Sequence, residues 1–283
     1  MDEKYKQRID TLRQVKQNSL LGGGQDKLDK IRKQGKLTAR ERVEYLLDEG
    51  SFVEHNLIIG YRENMPYDGL IAGYGKIHGR PVCVYSQDPT ISEGSVGPMH
   101  GHKMYRAIER ALDMGVPLIG LHESSGERMP EVTSKTVFGE SLERNGASLF
   151  YVNTEGSGVI PQISAIMGRC AGIAVYSPAL MDFVFMVDKS GMFIIDPEEV
   201  QAATGEKLSE QELGGAEIHC KISGVADGRF KNDMELLDAI RELMTFMPQN
   251  ADEQPPLVDL GDDPDRLTEE LLDIVPSDAT RAY

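Results

Sequence analysis

The stretch from Val159 to Val187, VIPQISAIMGRCAGIAVYSPALMDFVFMV, constrains the fold more than any other part of the chain. An apolar segment that reads as a buried strand runs into Gly168-Arg169-Cys170-Ala171-Gly172, and further small residues follow at once. Small residues let a backbone approach a ligand closely, and a helix starting there leaves its first N–H groups unpaired and aimed outward. Such a turn is suited to hold negative charge on a carbonyl oxygen.

The elements around this stretch alternate. Residues 2–19 and 26–34 read as helices separated by Leu21-Gly22-Gly23-Gly24, and Thr38 with Glu41 forms a capping box for a helix through Leu47. Two apolar runs, 69–77 and 81–86, flank a His78-Gly79 turn and predict a hairpin. A loop from Gln87 to Gly97, a helix over 98–114 and a short buried strand over 116–121 come next. Loop 122–133 leads to a helix over 134–151. Strand 158–163 and a helix after Cys170 follow, then strands near 182–187 and 192–195 and helices near 196–203 and 232–246. The acidic tail from Pro255 is expected on the surface. This order predicts an α/β fold with mixed sheets covered by helices. Residues 1–48 are expected to form a helical N-terminal arm, and 49–283 a single large domain.

Charge narrows the function classes. The net charge is −16, yet residues 1–42 hold twelve Lys and Arg against six Asp and Glu. A basic arm on an acidic body lacks the continuous basic face that nucleic-acid binding needs. The arm reads either as solvated or as partly facing a phosphorylated ligand. No apolar run of about 18 residues is present, so no membrane span is expected. Three distant cysteines without a CxxC pair argue for a reducing, cytoplasmic setting.

Side-chain catalysis finds little support. His100 and His102 would point about 200° apart on a helix and converge poorly on a metal, so no metal site is expected. A serine protease of the ClpP type needs a hydroxyl after the glycine turn, where this chain has Ala171-Gly172-Ile173-Ala174. The loop 123–131 carries Arg128, which could pair with a phosphate or carboxylate or form an internal salt bridge to Glu123 or Glu131. The loop 86–95, with Gly94 and Ser95, reads as ligand-lining or as an ordinary turn.

Five stretches carry a resemblance: Gly35 to Arg42, Ser86-Gln87-Asp88 with Thr90, Pro117 to Leu121 leading to Ser124, Gly126 and Arg128, Ile160 to Asp182, and Glu212 to Ala216 followed by Ser223 to Ala226. From about residue 25 onward the chain resembles the N-terminal half of the carboxyltransferase (β) subunit of biotin-dependent acyl-CoA carboxylases, of the propionyl-CoA carboxylase type. The resemblance implies a crotonase-like (ClpP/crotonase) spiral of ββα units and an acyl-CoA thioester bound in this half. Carboxybiotin would enter from a C-type half or second subunit, its biotin borne on a biotin carboxyl carrier protein, and biotin itself would supply the base. What remains for this chain is an oxyanion hole for the thioester enolate, assigned by resemblance to the N–H groups of Gly172 and Ile173, with Gly126 as a further candidate. The residues assigned to the acyl-CoA are Arg40, Arg42, Gly94, Ser95, Arg128 and Ala171.

The family continues beyond Tyr283, so the chain is expected to be a split gene product or an excised domain, and an oligomer with the 98–114 and 134–151 helices as candidate faces. Departures bear on the substrate. The family usually has Asp, Gly and Ala at Glu123, Ser125 and Glu127, different residues at Pro130, Glu131 and Val132, and Pro and Gly at Arg169 and Ile173. The β-branched Ile173 keeps its N–H but narrows the pocket. Three other readings stay open: a biotin-dependent acyl-CoA decarboxylase running the transfer in reverse, a non-catalytic acyl-CoA-binding assembly subunit, and a hydratase using two of Glu123, Glu127 and Glu131.

Overall fold

The computed structural model describes residues 3–61, 64–129 and 149–282. Its sheet forms because five segments are apolar enough to be covered on both faces. Strands β1 (Val53–Glu54), β2 (Leu70–Ile77) and β3 (Arg80–Gln87) are antiparallel, the last two forming the expected hairpin with Leu70 opposite Gln87 and Ile77 opposite Arg80. From β3 the sheet continues in parallel through β4 (Leu118–Ser124), β5 (Gln162–Ala171), β6 (Phe183–Val187) and β8 (Gly228–Phe230). A short strand β7 (Gly191–Phe193) pairs with the end of β5 alone.

The period-2 geometry of strands sorts their side chains between two helical layers. Val82 and Val84 of β3, Ile119 and Leu121 of β4, and Ile163 and Ala165 of β5 face a core closed by α3 (Ala39–Leu46) and by the late helix Asp233–Leu243. Cys83, Tyr85 and Leu118 face the other side, under α4 (Pro98–Met114) with Met104, Ile108 and Ala111, and under α5 (Leu149–Gly156) with Val152. A third cluster joins Ile166 and Cys170 to Ala174, Val175 and Met192 behind the glycine turn.

Two details differ from the sequence reading. Helix α3, following α1 (Glu3–Leu20) and α2 (Gln25–Lys33), has the expected Thr38–Glu41 capping box, but Ala39, Val43, Leu46 and Leu47 are core residues. The core therefore runs across the 48/49 division. The fifth strand is later and longer than the expected 158–163, because β7 gives Arg169, Cys170 and Ala171 a second ladder to pair with. Of the expected 134–151 helix, 134–148 lies outside the described residues, and Leu149–Gly156 is helical. The tail beyond residue 254 is exposed, with Leu257 and Leu267 more than 90% accessible. Among the described residues, no helix is long and apolar enough to cross a membrane.

Two core histidines give the fold a pH dependence. Burial pushes His122 down to about 3. Burial also pushes His100 to about 3, against the opposing bond to the Asp68 carbonyl. Both are neutral when folded and protonate near 6.5 when unfolded, so their stabilisation is present above pH 6.5 and lost as pH falls. With the slope rising toward about 1.4 kcal/mol per group per pH unit below 6.5, the pair should lower the unfolding free energy by roughly 3 kcal/mol between pH 6.5 and 5. Urea titrations across that range check it, and a flat stability would contradict it.

Candidate active site

The carboxyl ends of three adjacent strands build one site, in the position where open α/β sheets place ligands. Strand β3 delivers the segment Asp88–Val96, β4 delivers Ser124–Met129, and β5 delivers the turn Gly172–Val175, followed by the short helix Tyr176–Ala179. Gly126 and Gly172 meet across it. Both have positive φ, 105° and 58°, and a Cβ on either would lie 3.9 Å from the other's Cα. A Cβ at 126 would also stand 3.1 Å from the Ala171 carbonyl oxygen. At 126 both the left-handed φ and the nearby carbonyl favour glycine, and at 172 the left-handed φ does.

The turn is fixed from beneath and left partly open above. The Cys170 thiol donates to the Ala174 carbonyl at 3.4 Å, and burial pushes that thiol up to about 12, so it stays protonated. Ser177 Oγ donates to Asn153 Oδ1 at 2.7 Å, and Asn153 Nδ2 donates to Gln162 Oε1 at 2.9 Å. Gly172 and Ile173 are only partly buried. The geometry of a helical first turn leaves their N–H groups without a carbonyl partner inside the turn. Gly126 differs: its N–H donates to Ser124 Oγ at 3.2 Å and its carbonyl accepts from Val96 N–H at 2.7 Å.

The arginines assigned to the acyl-CoA are engaged inside the protein. Arg40 forks onto Glu54 at 2.8 and 3.1 Å, with its guanidinium 5.8 Å from the Tyr67 ring centre. Arg42, 1% exposed, donates through Nε to Asp233 at 2.8 Å and stands 2.7 Å from Glu123 Oε2. Arg128 pairs with Asp68 and donates to Ser95 Oγ and the Ser95 carbonyl. Phosphate contact through any of the three would require its guanidinium to share or leave a carboxylate. Gly94 has no room for a Cβ against the Glu123 carbonyl, and Ser95 Oγ donates to the Ser92 carbonyl, so both brace the loop. Ala171 is buried at the strand end opposite Phe193.

Sequence reasoning missed the charge cluster that carries this arrangement. The Glu123 carboxylate pairs with Lys36 and Arg42, and it occupies the space that a Cβ on Gly168 would fill. Burial would raise its pKa, but Arg42 and Lys36 outweigh that and hold it below the usual carboxylate range. Arg42 Nη1 and Nη2 and Glu123 Oε2 lack a well-directed hydrogen bond, so this contact is an ion pair rather than an aligned fork. Lys36 and Arg42 stand in one motif, but their acids are about 80 and 190 residues away, beyond any local spacing rule. Glu123 is thus tied up, Glu127 is exposed, and Glu131 lies outside the described residues. Arg169 bridges the two glycine segments from the rim, paired with Asp196 and with Glu210 at 2.8 Å, and 5.3 Å from the Phe193 ring centre. A cavity of about 150 Å³ lies elsewhere, lined by Leu20, Leu28, Arg32, Arg40, Tyr67 and Asp88 on the side of the N-terminal helices. It is separate from the glycine bend. Among the described residues, no group of three or more His, Cys, Asp or Glu could hold a metal ion.

Parallel strand ends that bring two glycine turns face to face mark the ligand end of this sheet. The chain belongs to the carboxyl transferase domain family, whose profile matches residues 30–283. It is 44% identical over 98% of its length to the carboxyltransferase subunit of propionyl-CoA carboxylase from Haloferax mediterranei, covering 54% of that protein. It is 42% identical over 93% of its length to methylmalonyl-CoA decarboxylase subunit alpha from Veillonella parvula, covering 52% of it. Its structure matches transcarboxylase 12S, solved as a hexamer assembly with methylmalonyl-coenzyme A and methylmalonic acid bound, with a TM-score of 0.84 and 38% identity over 98% of this chain and 54% of that one. The fold is thus the crotonase-like α/β fold of carboxyltransferase domains. The chain spans about half the length of the curated relatives it matches.

Removing one member of the buried cluster should be severe. Glu123→Gln leaves Lys36 without its carboxylate and Arg42 with Asp233 alone, one positive charge in excess, and an uncompensated buried charge costs about 3–5 kcal/mol. Denaturant titration at pH 7.5 measures it, and a loss below about 1 kcal/mol would contradict the ion-pair assignment.

Proposed function

We propose that this chain is the acyl-CoA-binding half of a biotin-dependent carboxyltransferase. The observation that carries the reading is the paired glycine bend at the strand ends, beside which Glu123 is held by Lys36 and Arg42 rather than free. A thioester carbonyl placed against Gly172 and Ile173 would accept their two N–H bonds, each worth about 3–4 kcal/mol when charge develops on the oxygen. Gly126, its N–H engaged with Ser124, acts as the opposite wall rather than as a donor. The β-branched Ile173 stands beside the two donors and limits the room next to them, favouring a small acyl chain.

The chain's own residues bind the thioester, orient its α-carbon and stabilise the enolate oxygen. Carboxybiotin, when bound from a partner half, supplies the carboxyl group and the base. That division explains why this bend needs no histidine. The partners implied are a C-type carboxyltransferase half or second subunit and a biotin carboxyl carrier protein, in a cytoplasmic oligomer. The reverse direction, decarboxylation of an acyl-CoA, uses the same bend, and the Veillonella parvula relative supports it as the second reading.

Two experiments test the proposal. Exchange of label between a malonyl-type CoA and biotin should require this chain together with a C-type half. Full exchange by this chain alone would refute the split site. Replacing the Ile173 amide by an ester, through the matching α-hydroxy acid, removes one N–H and little else. Exchange by the assembled pair should then fall by about a hundred- to a thousandfold, and an unchanged rate would remove Ile173 from the oxyanion hole.

A further inference from the structure

Two runs of left-handed backbone stand side by side beneath the candidate site. Tyr67, Asp68 and Gly69 have φ of 45°, 50° and 68°; Ser92, Glu93 and Gly94 have 44°, 56° and 67°. Four of these six residues carry a side chain, and each such residue in the left-handed region costs about 1–2 kcal/mol. Runs of this kind persist only where surrounding contacts over-determine them. The two turns touch, since a Cβ on Gly69 would lie 3.3 Å from the Ile91 carbonyl oxygen.

The contacts that hold them converge on one guanidinium. Arg128 pairs with the Asp68 carboxylate of the first turn. It reaches past the second turn to Ser95, donating through Nε to Oγ at 3.2 Å and through Nη2 to the carbonyl at 2.7 Å. Ser95 in turn closes the second run, its N–H donating to the Ser92 carbonyl at 2.9 Å. The first run has further support: Lys103 Nζ donates to the Tyr67 carbonyl at 2.9 Å, and His100 Nδ1 stands 2.9 Å from the Asp68 carbonyl oxygen.

The same segment sets the glycine bend. Ser125 N–H donates to the Glu93 carbonyl at 3.0 Å, Val96 N–H to the Gly126 carbonyl at 2.7 Å, and Arg128 N–H to the Val96 carbonyl at 3.0 Å. Gly126 is thus bonded to a segment whose left-handed start is fastened by the Arg128 side chain. Movement of Ser92–Val96 would carry Gly126 with it and change its distance from Gly172.

We propose that Arg128 is a positioning residue: its guanidinium locks the two left-handed turns together and thereby holds Gly126 opposite Gly172. The inference deepens the carboxyltransferase reading and rests on it for its kinetic consequence, though not for its structural one. Lysine cannot replace the fork, because one ammonium has no fixed geometry for both Asp68 and the two Ser95 acceptors.

The test uses the full chain, with and without a C-type half, as wild type, Arg128→Lys and the milder Ser95→Ala. Hydrogen exchange is read by peptide and carboxyl exchange by kinetics. In Arg128→Lys, amides in 92–96 and 124–129 should exchange about tenfold faster while those of β2, β3 and β5 stay protected. With the C-type half, kcat should fall about a hundredfold with KM for the acyl-CoA nearly unchanged. Ser95→Ala should move both readouts the same way by less, and it carries the test if Arg128→Lys does not fold. Wild-type protection of both segments would overturn the proposal, as would a change confined to KM, which would return Arg128 to ligand contact. If wild type transfers no carboxyl group with its partner half, the functional reading fails, and hydrogen exchange alone then decides the positioning role.

Discussion

The Glu123 carboxylate lies over Gly168 of the neighbouring strand, where any side chain at 168 would displace it, and it is kept charged there by Lys36 and Arg42. An ionised carboxylate so deeply buried is tolerable only with such partners. The consequences spread from it. Arg42 also grips Asp233, and Asp233 accepts the Leu37 N–H at 3.1 Å, so α3, the end of β4 and the start of the helix Asp233–Leu243 close around one charge cluster. The Glu123 N–H donates to Gln87 Oε1 at 3.1 Å, and its carbonyl abuts Gly94, which ties in the end of β3. The three strand ends that form the candidate site are registered through this residue.

The architecture of the site then divides between backbone and side chains. On the carboxyltransferase reading the chemistry belongs to main-chain amides of the turn after β5, and charged side chains serve to fix the segments that carry them. Arg169, where the family pattern has Pro, is an added brace joining the turn to Asp196 and Glu210. Ile173, where that pattern has Gly, keeps the donor and reduces the space beside it. These two departures act on the width and rigidity of the bend.

Much of the fold was legible because it is local. Apolar runs separated by Gly-containing turns marked the β2–β3 hairpin, and the Thr38–Glu41 pair marked the start of α3. The extent of β5 was not legible, since its last three residues are drawn into the sheet by β7 and by Ser124 of β4, partners distant in the chain. Gly126 and Gly172 could be singled out from their small-residue surroundings, but the Ser124 hydroxyl that takes the Gly126 N–H carries no sequence signal. The partners of the arginines were hidden for a related reason. The guanidinium groups of Arg40, Arg42 and Arg128 look free for phosphate until Glu54, Glu123, Asp233 and Asp68 are brought to them by tertiary folding.

The account rests on amides of the Gly172 turn polarising a thioester carbonyl. Infrared difference spectroscopy with an acyl-CoA labelled with carbon-13 at that carbonyl reads this directly. A bound band displaced to lower wavenumber, as two donors on one oxygen require, is the predicted result. A band at its position in free solution, with the CoA bound, would contradict the account.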